Sequence, residues 1–113
     1  FMPRPDGTLD MMVPARSNDM VVGFPLDIAR YAIITHVVAE ATSFKPGRVT
    51  MPSANSHIYE NCYGLAEELT KREARGECSL QVKQPCRDIN NLKLENFVLT
   101  SYDPHEAVKI SVN

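Results

Sequence analysis

The chain has little cysteine and arranges none of it in pairs. There are three in 113 residues, Cys62, Cys78 and Cys86, with no C-x-x-C. An odd count without paired spacing argues against a disulfide framework at this size. Together with His57 the three match no standard zinc spacing, so they read as buried or inert thiols. Long hydrophobic runs are also missing. The longest mostly apolar stretch, Tyr31–Ala41, contains Thr35, His36 and Glu40, and is too short and too polar to span a bilayer. The first twenty residues show no basic-then-apolar leader. These two absences predict a cytoplasmic protein with no membrane partner. Neither sign of charge is in excess: twelve Lys+Arg face fourteen Asp+Glu, giving −2. Binding to nucleic acid through bulk phosphate neutralisation is therefore not expected, although a local anion site stays open. Gly-rich phosphate loops, H-E-x-x-H, G-x-S-x-G and EF-hand patterns are all absent.

What is present is ordinary for a folded domain. Hydrophobic residues make up 43% and charged residues 23%, values that exclude a disordered or collagen-like chain. The length allows one domain or a piece of one. Phe1-Met2-Pro3-Arg4 is an unusual start and suggests a chain cut from a larger protein.

Pro5-Asp6-Gly7-Thr8 reads as a turn. Leu9–Arg16 has strand character interrupted by Pro14, and Arg16-Ser17-Asn18-Asp19 is a polar cluster after it. Val21–Pro25 reads as a loop or strand end. A helix follows from about Pro25 to Thr42, with Ile28, Tyr31, Ala32, Ile34, Thr35, Val38 and Ala41 at helical spacing. Ile33, Val37 and Ala39 fill much of the rest, so the helix is apolar nearly all round and predicts a core position. Lys45-Pro46-Gly47 reads as its stop. Arg48–Pro52 is a short strand, 53–56 a polar linker, and His57 to about Arg75 a second helix. Ser79–Lys83, Lys93–Tyr102 and Ala107–Val112 are further strands. The order of elements predicts an α/β or α+β domain.

Three places could carry chemistry. Arg16 and Ser17 could grip a phosphate, the guanidinium giving paired donors, or be plain surface. Asp27 could be functional or simply cap the helix. His57 and Tyr59 could hold a sugar hydroxyl or be structural. His36 reads as a satisfied core histidine and His105 as part of a turn.

Taken in order, these pieces resemble the thymidylate synthase family. Arg16-Ser17-Asn18-Asp19 matches its R-S-x-D. Gly23-Phe24-Pro25-Leu26-Asp27-Ile28-Ala29 with Tyr31-Ala32 matches G-x-P-F-N-I-A-x-Y-A. Lys45-Pro46-Gly47, His57-Ile58-Tyr59 with Asn61, and Tyr102-Asp103-Pro104-His105 with Lys109 match later motifs. The likeness runs along the whole chain with almost no gaps. It implies the C-terminal half of that fold: a mixed sheet packed on a central buried helix, with residues 1–113 forming part of a single domain. It also implies a pyrimidine nucleoside monophosphate as substrate, 5,10-methylenetetrahydrofolate as cofactor, a homodimer, and an N-terminal half as partner. Arg16 and Ser17 would hold the phosphate, His57 and Tyr59 the ribose 3′-hydroxyl. Asp19 and Gly23 would line the folate site. Asp27 would read the base, and Val112 and Asn113 would belong to a closing tail. The family's nucleophilic Cys, from a Pro-Cys-His segment, is expected before residue 1, so this chain alone is predicted inactive.

The departures from the family pattern matter as much. The methylating members carry Asn where Asp27 stands, and an Asn amide matches the N3–H donor and O4 acceptor of uracil. Cytosine presents the opposite pattern, which a carboxyl group fits: one oxygen takes the 4-amino hydrogen and a protonated oxygen donates to N3. A site built for one pattern rejects the other by leaving buried polar groups unpaired. The family's cytidylate hydroxymethylases carry Asp here, and the Arg16–Asp19 run followed by Gly23-Phe24 looks like their phage type. Ala15 stands for Gln, Leu26 for Phe, Ala54-Asn55 for Gly-Asp, and Cys62 for His. A (d)CMP 5-hydroxymethylase is therefore expected. A thymidylate synthase proper is the alternative, and a non-catalytic nucleotide- or partner-binding half is the reading from another class.

Overall fold

The computed structural model describes residues 1–83 and 87–109. Its framework is a parallel β–α–β unit. Strands β2 (Thr8–Met12) and β3 (Ala15–Asp19) run on from one another and lead into helix α1 (Gly23–Ala41). Strands β4 (Lys45–Thr50) and β5 (Ser53–His57) then return beside them, β2 pairing with β4 and β3 with β5, both in parallel. Each long strand is interrupted once, at Pro14 and at Pro52. A proline has no N–H to give the ladder. The pairing continues across the gap through Val13 N–H to the Thr50 carbonyl (2.9 Å) and Ala15 N–H to the Pro52 carbonyl (2.8 Å). Strand β1 (Met2–Pro3) joins antiparallel to β2.

The register slips between Leu9↔Pro46 and Met11↔Val49, leaving one extra residue on β4. Asp10 fills this bulge: its Oδ1 accepts from the Arg48 amide at 2.8 Å and its Oδ2 from Arg4 Nε at 2.7 Å. The Arg48 amide and the Arg4 side chain hold the Asp10 carboxyl below the usual carboxylate range. Gly47 is required here because a Cβ would collide with Asp10 Oδ1 and stand 2.8 Å from the Leu9 carbonyl oxygen.

Helix α1 starts two residues earlier than the sequence pattern suggests and stops for a different reason. Ser43 adopts φ 63°, and Phe44 N–H closes on the Ala39 carbonyl at 2.9 Å. A left-handed residue with that closing bond is a helix stop in itself. Lys45-Pro46-Gly47, expected to be the breaker, already belongs to β4. Thr35 and Ala39 of α1 are fully covered by the strands. The Thr35 hydroxyl donates to the Tyr31 carbonyl at 2.7 Å and lies 3.3 Å from Met11 Sδ. The rest of the helix is only partly covered: Ile33 lines an apolar cavity with Leu80, Phe97 and Leu99, yet Ile33 and Ile34 remain 44% and 40% exposed.

The expected linker 53–56 is strand β5, because the parallel partner β3 supplies a ladder that overrides the weak strand preference of Ala and Asn. The expected helix from His57 is shorter. His57 ends β5, a 3₁₀ turn covers Glu60–Cys62, and α2 spans Tyr63–Lys71. Strands β6 (Ser79–Val82) and β7 (Phe97–Thr100) form an antiparallel hairpin, with a 3₁₀ turn at Leu94–Asn96 where strand was expected. Residues 107–109 of the expected last strand are irregular, and 110–112 lie outside the described residues. The architecture is mixed α/β, as the order of elements predicts. No helix among the described residues is long and apolar enough to cross a membrane.

Candidate strand-end site

The parallel register brings the predicted residues to one end of the sheet. Ser17 lies opposite Asn55, and Asp19 opposite His57. Helix α1 begins four residues after Asp19, so Gly23 and Asp27 stand at the same end. Tyr59 follows β5 directly. Residues more than thirty positions apart in sequence are thus neighbours because two parallel strands end together.

The turn from β3 into α1 is held by Asp19, whose Oδ1 accepts from Val21 N–H at 3.1 Å. Met20 N–H donates to the His57 carbonyl at 2.9 Å, which fastens the two strand ends. An added Cβ on Gly23 would sit 3.5 Å from Asp19 Cβ, so the bare glycine lies against the Asp19 side chain.

Ser17 Oγ accepts from Asn55 Nδ2 at 3.4 Å, which leaves its own hydrogen free to be donated. Arg16 is exposed, and no carboxylate among the described residues pairs with it. Its neighbour Asn18 turns inward, 4% exposed, with Nδ2 lacking a hydrogen-bond partner among the described residues. The sequence offered no signal for this inward turn beyond strand alternation.

His57 Nδ1 lies 3.2 Å from the Asn55 carbonyl oxygen. A carbonyl only accepts, so Nδ1 carries the hydrogen in the neutral ring and Nε2 is left as an acceptor. The rings of His57 and Tyr59 meet edge to face, 5.1 Å between centroids at 86°. Tyr59 is exposed and lines a shallow cleft of about 650 Å³ with Ile58, Glu60, Asn61 and Tyr63.

Asp27 does not cap α1. Val22 is the residue before the helix and no side chain caps it; Asp27 lies in the second turn. Its Oδ1 instead accepts from Arg30 Nη1, one turn further on, at 3.2 Å. The i, i+3 spacing of an acid and a base is the sequence signal for Arg30. Tyr102-Asp103-Pro104-His105 is tied to the segment that follows α2. Arg75 Nη1 donates to Asp103 Oδ1 at 2.7 Å, and His105 Nε2 is 2.8 Å from the Glu73 carbonyl oxygen. Val112, Asn113 and Cys86 lie outside the described residues. Among the described residues no group of three or more His, Cys, Asp or Glu is placed to hold a metal ion.

Polar side chains gathered where parallel strands end, beside the start of the intervening helix, mark the place where α/β proteins hold their ligands. The chain is of that class. A family model described as thymidylate synthase matches residues 1–113, and the chain belongs to that family. The family's reaction is folate-dependent transfer of a one-carbon unit to C5 of a pyrimidine nucleotide.

Proposed function

We propose that this chain is the nucleotide-holding half of a (d)CMP 5-hydroxymethylase, a folate-dependent C5 one-carbon transferase acting on a cytosine nucleotide. The observation that carries the reading is Asp27: a carboxylate that caps nothing, on the helix that starts beside Ser17, Asp19 and His57. A carboxylate accepts from the 4-amino group that cytosine has and uracil lacks.

The other residues divide the nucleotide between them. Arg16 brings a guanidinium that is unpaired among the described residues to the phosphate, and Ser17 adds the hydroxyl hydrogen that Asn55 leaves free. His57 Nε2 accepts from the ribose 3′-hydroxyl, and Tyr59 supplies a second polar contact. Asp19 spends Oδ1 on the Val21 amide, and Oδ2 is free to accept from the N–H groups of a pterin beside the bare face of Gly23. These residues fit 5,10-methylenetetrahydrofolate, which supplies the one-carbon unit when bound. The thiolate that adds to C6 comes from an N-terminal half outside residues 1–113. Neither described thiol stands in a Pro-Cys-His segment: Cys62 is buried before α2 and Cys78 is exposed before β6. The complete enzyme is a homodimer, and this chain alone is inactive.

The test uses this chain joined to or co-expressed with its N-terminal half. Tritium release from C5 of labelled dCMP, CMP and dUMP is followed with and without methylenetetrahydrofolate. Release from a cytosine nucleotide, reduced about a hundredfold or more in Asp27→Asn, is the expected result. Release from dUMP alone would make the enzyme a thymidylate synthase. No release from any of the three by a folded sample would leave a non-catalytic binding half.

A further inference from the structure

The Asp27–Arg30 pair has a consequence for how the base is read. A lone carboxyl group can engage the 4-amino group as a carboxylate, but it satisfies N3 as well only if a proton lies between them, because N3 is an acceptor and needs a donor. Here the carboxylate already has a donor beside it. Arg30 Nη1 approaches Asp27 Oδ1 at 3.2 Å. The guanidinium side chain is 70% exposed and the Asp27 side chain 33%, so both present their outer edges to the same open side of α1. A guanidinium has five N–H donors and no acceptor. One engages Asp27 and the rest are available to a ligand. The pair therefore displays an acceptor, Asp27 Oδ2, next to a donor, the Arg30 fork.

We propose that Asp27 and Arg30 read the cytosine edge together: Asp27 accepts the 4-amino hydrogen while the Arg30 guanidinium donates to ring N3. The base is then held with the carboxylate ionised, and binding takes up no proton. This makes Arg30 a specificity-determining residue and assigns the N3 contact to a side chain rather than to a carboxyl proton. The inference rests on the cytosine reading above and refines it. Turned over, the same pair would accept from uracil N3–H and donate to O4. Discrimination between the bases then depends on Asp27 lying opposite the 4-substituent, which the dUMP arm of the test addresses.

The experiment measures dCMP and dUMP binding to the assembled protein by isothermal titration calorimetry from pH 7.0 to 8.5, where the nucleotide phosphate (second pKa about 6) is already ionised. Repeating each titration in buffers of different ionisation enthalpy counts the protons taken up. If the pair reads cytosine, the Kd for dCMP changes less than about threefold across that range, with no net proton uptake. A protonated carboxyl would instead weaken binding about tenfold per pH unit, roughly thirtyfold in all. Arg30→Gln should weaken dCMP at least about tenfold and introduce proton uptake, whereas Arg30→Lys, which keeps a charged donor, should recover part of the affinity without it. Arg30 is exposed, so far-UV circular dichroism of each variant should match the parent. Wild-type uptake of about one proton per dCMP, or an Arg30→Gln protein that binds dCMP like the parent, would overturn the pair and leave Asp27 reading cytosine alone. Tight dUMP binding without dCMP binding would overturn the cytosine reading and this inference with it.

Discussion

Arg16 and Ser17 adjoin in sequence but stand in different surroundings. Arg16 is exposed and unpaired among the described residues, and Ser17 is bonded to Asn55. If the guanidinium holds the phosphate, Arg16→Ala in the assembled enzyme should weaken dCMP binding by roughly 1.5–3 kcal/mol, about tenfold to more than a hundredfold. Deoxycytidine, which has no phosphate, should bind both proteins alike; calorimetric titration of each ligand checks this. His36 shows a different residue-scale effect. Partial burial in α1 pushes its pKa below the ordinary 6.5. The unfolded chain then takes up its proton at higher pH than the folded chain. Stability should fall as pH drops from about 7 towards 5, and the slope should flatten in His36→Gln. Urea unfolding midpoints across that range provide the measure.

The β2–β4 bulge and the stop of α1 are decisions made at the scale of elements. Pro46 and Gly47 looked like helix breakers in sequence, yet Ser43 ends the helix and Gly47 serves the sheet. At Gly47 the close neighbours of an added Cβ include Leu9 backbone atoms at 2.8 and 2.9 Å, which cannot swing aside as a side chain can. Gly47→Ala should therefore cost about 1–3 kcal/mol and loosen the β2–β4 pairing, seen as a lower thermal midpoint and faster amide exchange at Met11 and Val49. The helix after His57 begins later than its periodicity suggests for a related reason. The periodic residues Tyr59, Cys62, Tyr63, Ala66 and Leu69 suggest a helix from 57 onward, but the parallel partner β3 draws 53–57 into a strand and delays the helix to Tyr63.

Across the whole molecule the core is thin. Among the described hydrophobic residues only Leu9, Ala39 and Cys62 are buried, while Leu26, Ile33, Ile34 and Tyr63 stay well exposed. A helix that is apolar nearly all round needs cover on more than one side; α1 has the parallel strands on one side and touches β6 besides, yet Ile33 and Ile34 stay 44% and 40% exposed. Isolated, the chain should associate rather than remain monomeric. Sedimentation velocity should show species heavier than 12.6 kDa; a monodisperse monomer would refute this. Co-expression with the proposed N-terminal half should reduce the association by covering the same face.

The sequence by itself determined the α/β class, the long apolar helix, the family likeness and the residue types at the strand ends. These are legible because hydrophobic period and ordered motifs are local properties of a chain. Tertiary structure decided what those residues do to one another. Parallel pairing of β3 with β5 placed His57 opposite Asp19 and turned the 53–56 stretch into a strand. The true start of α1 removed Asp27 from the capping position, and the helical turn set Arg30 against it. Register, burial and side-chain pairing depend on which segments meet in space, and the motifs do not carry that information.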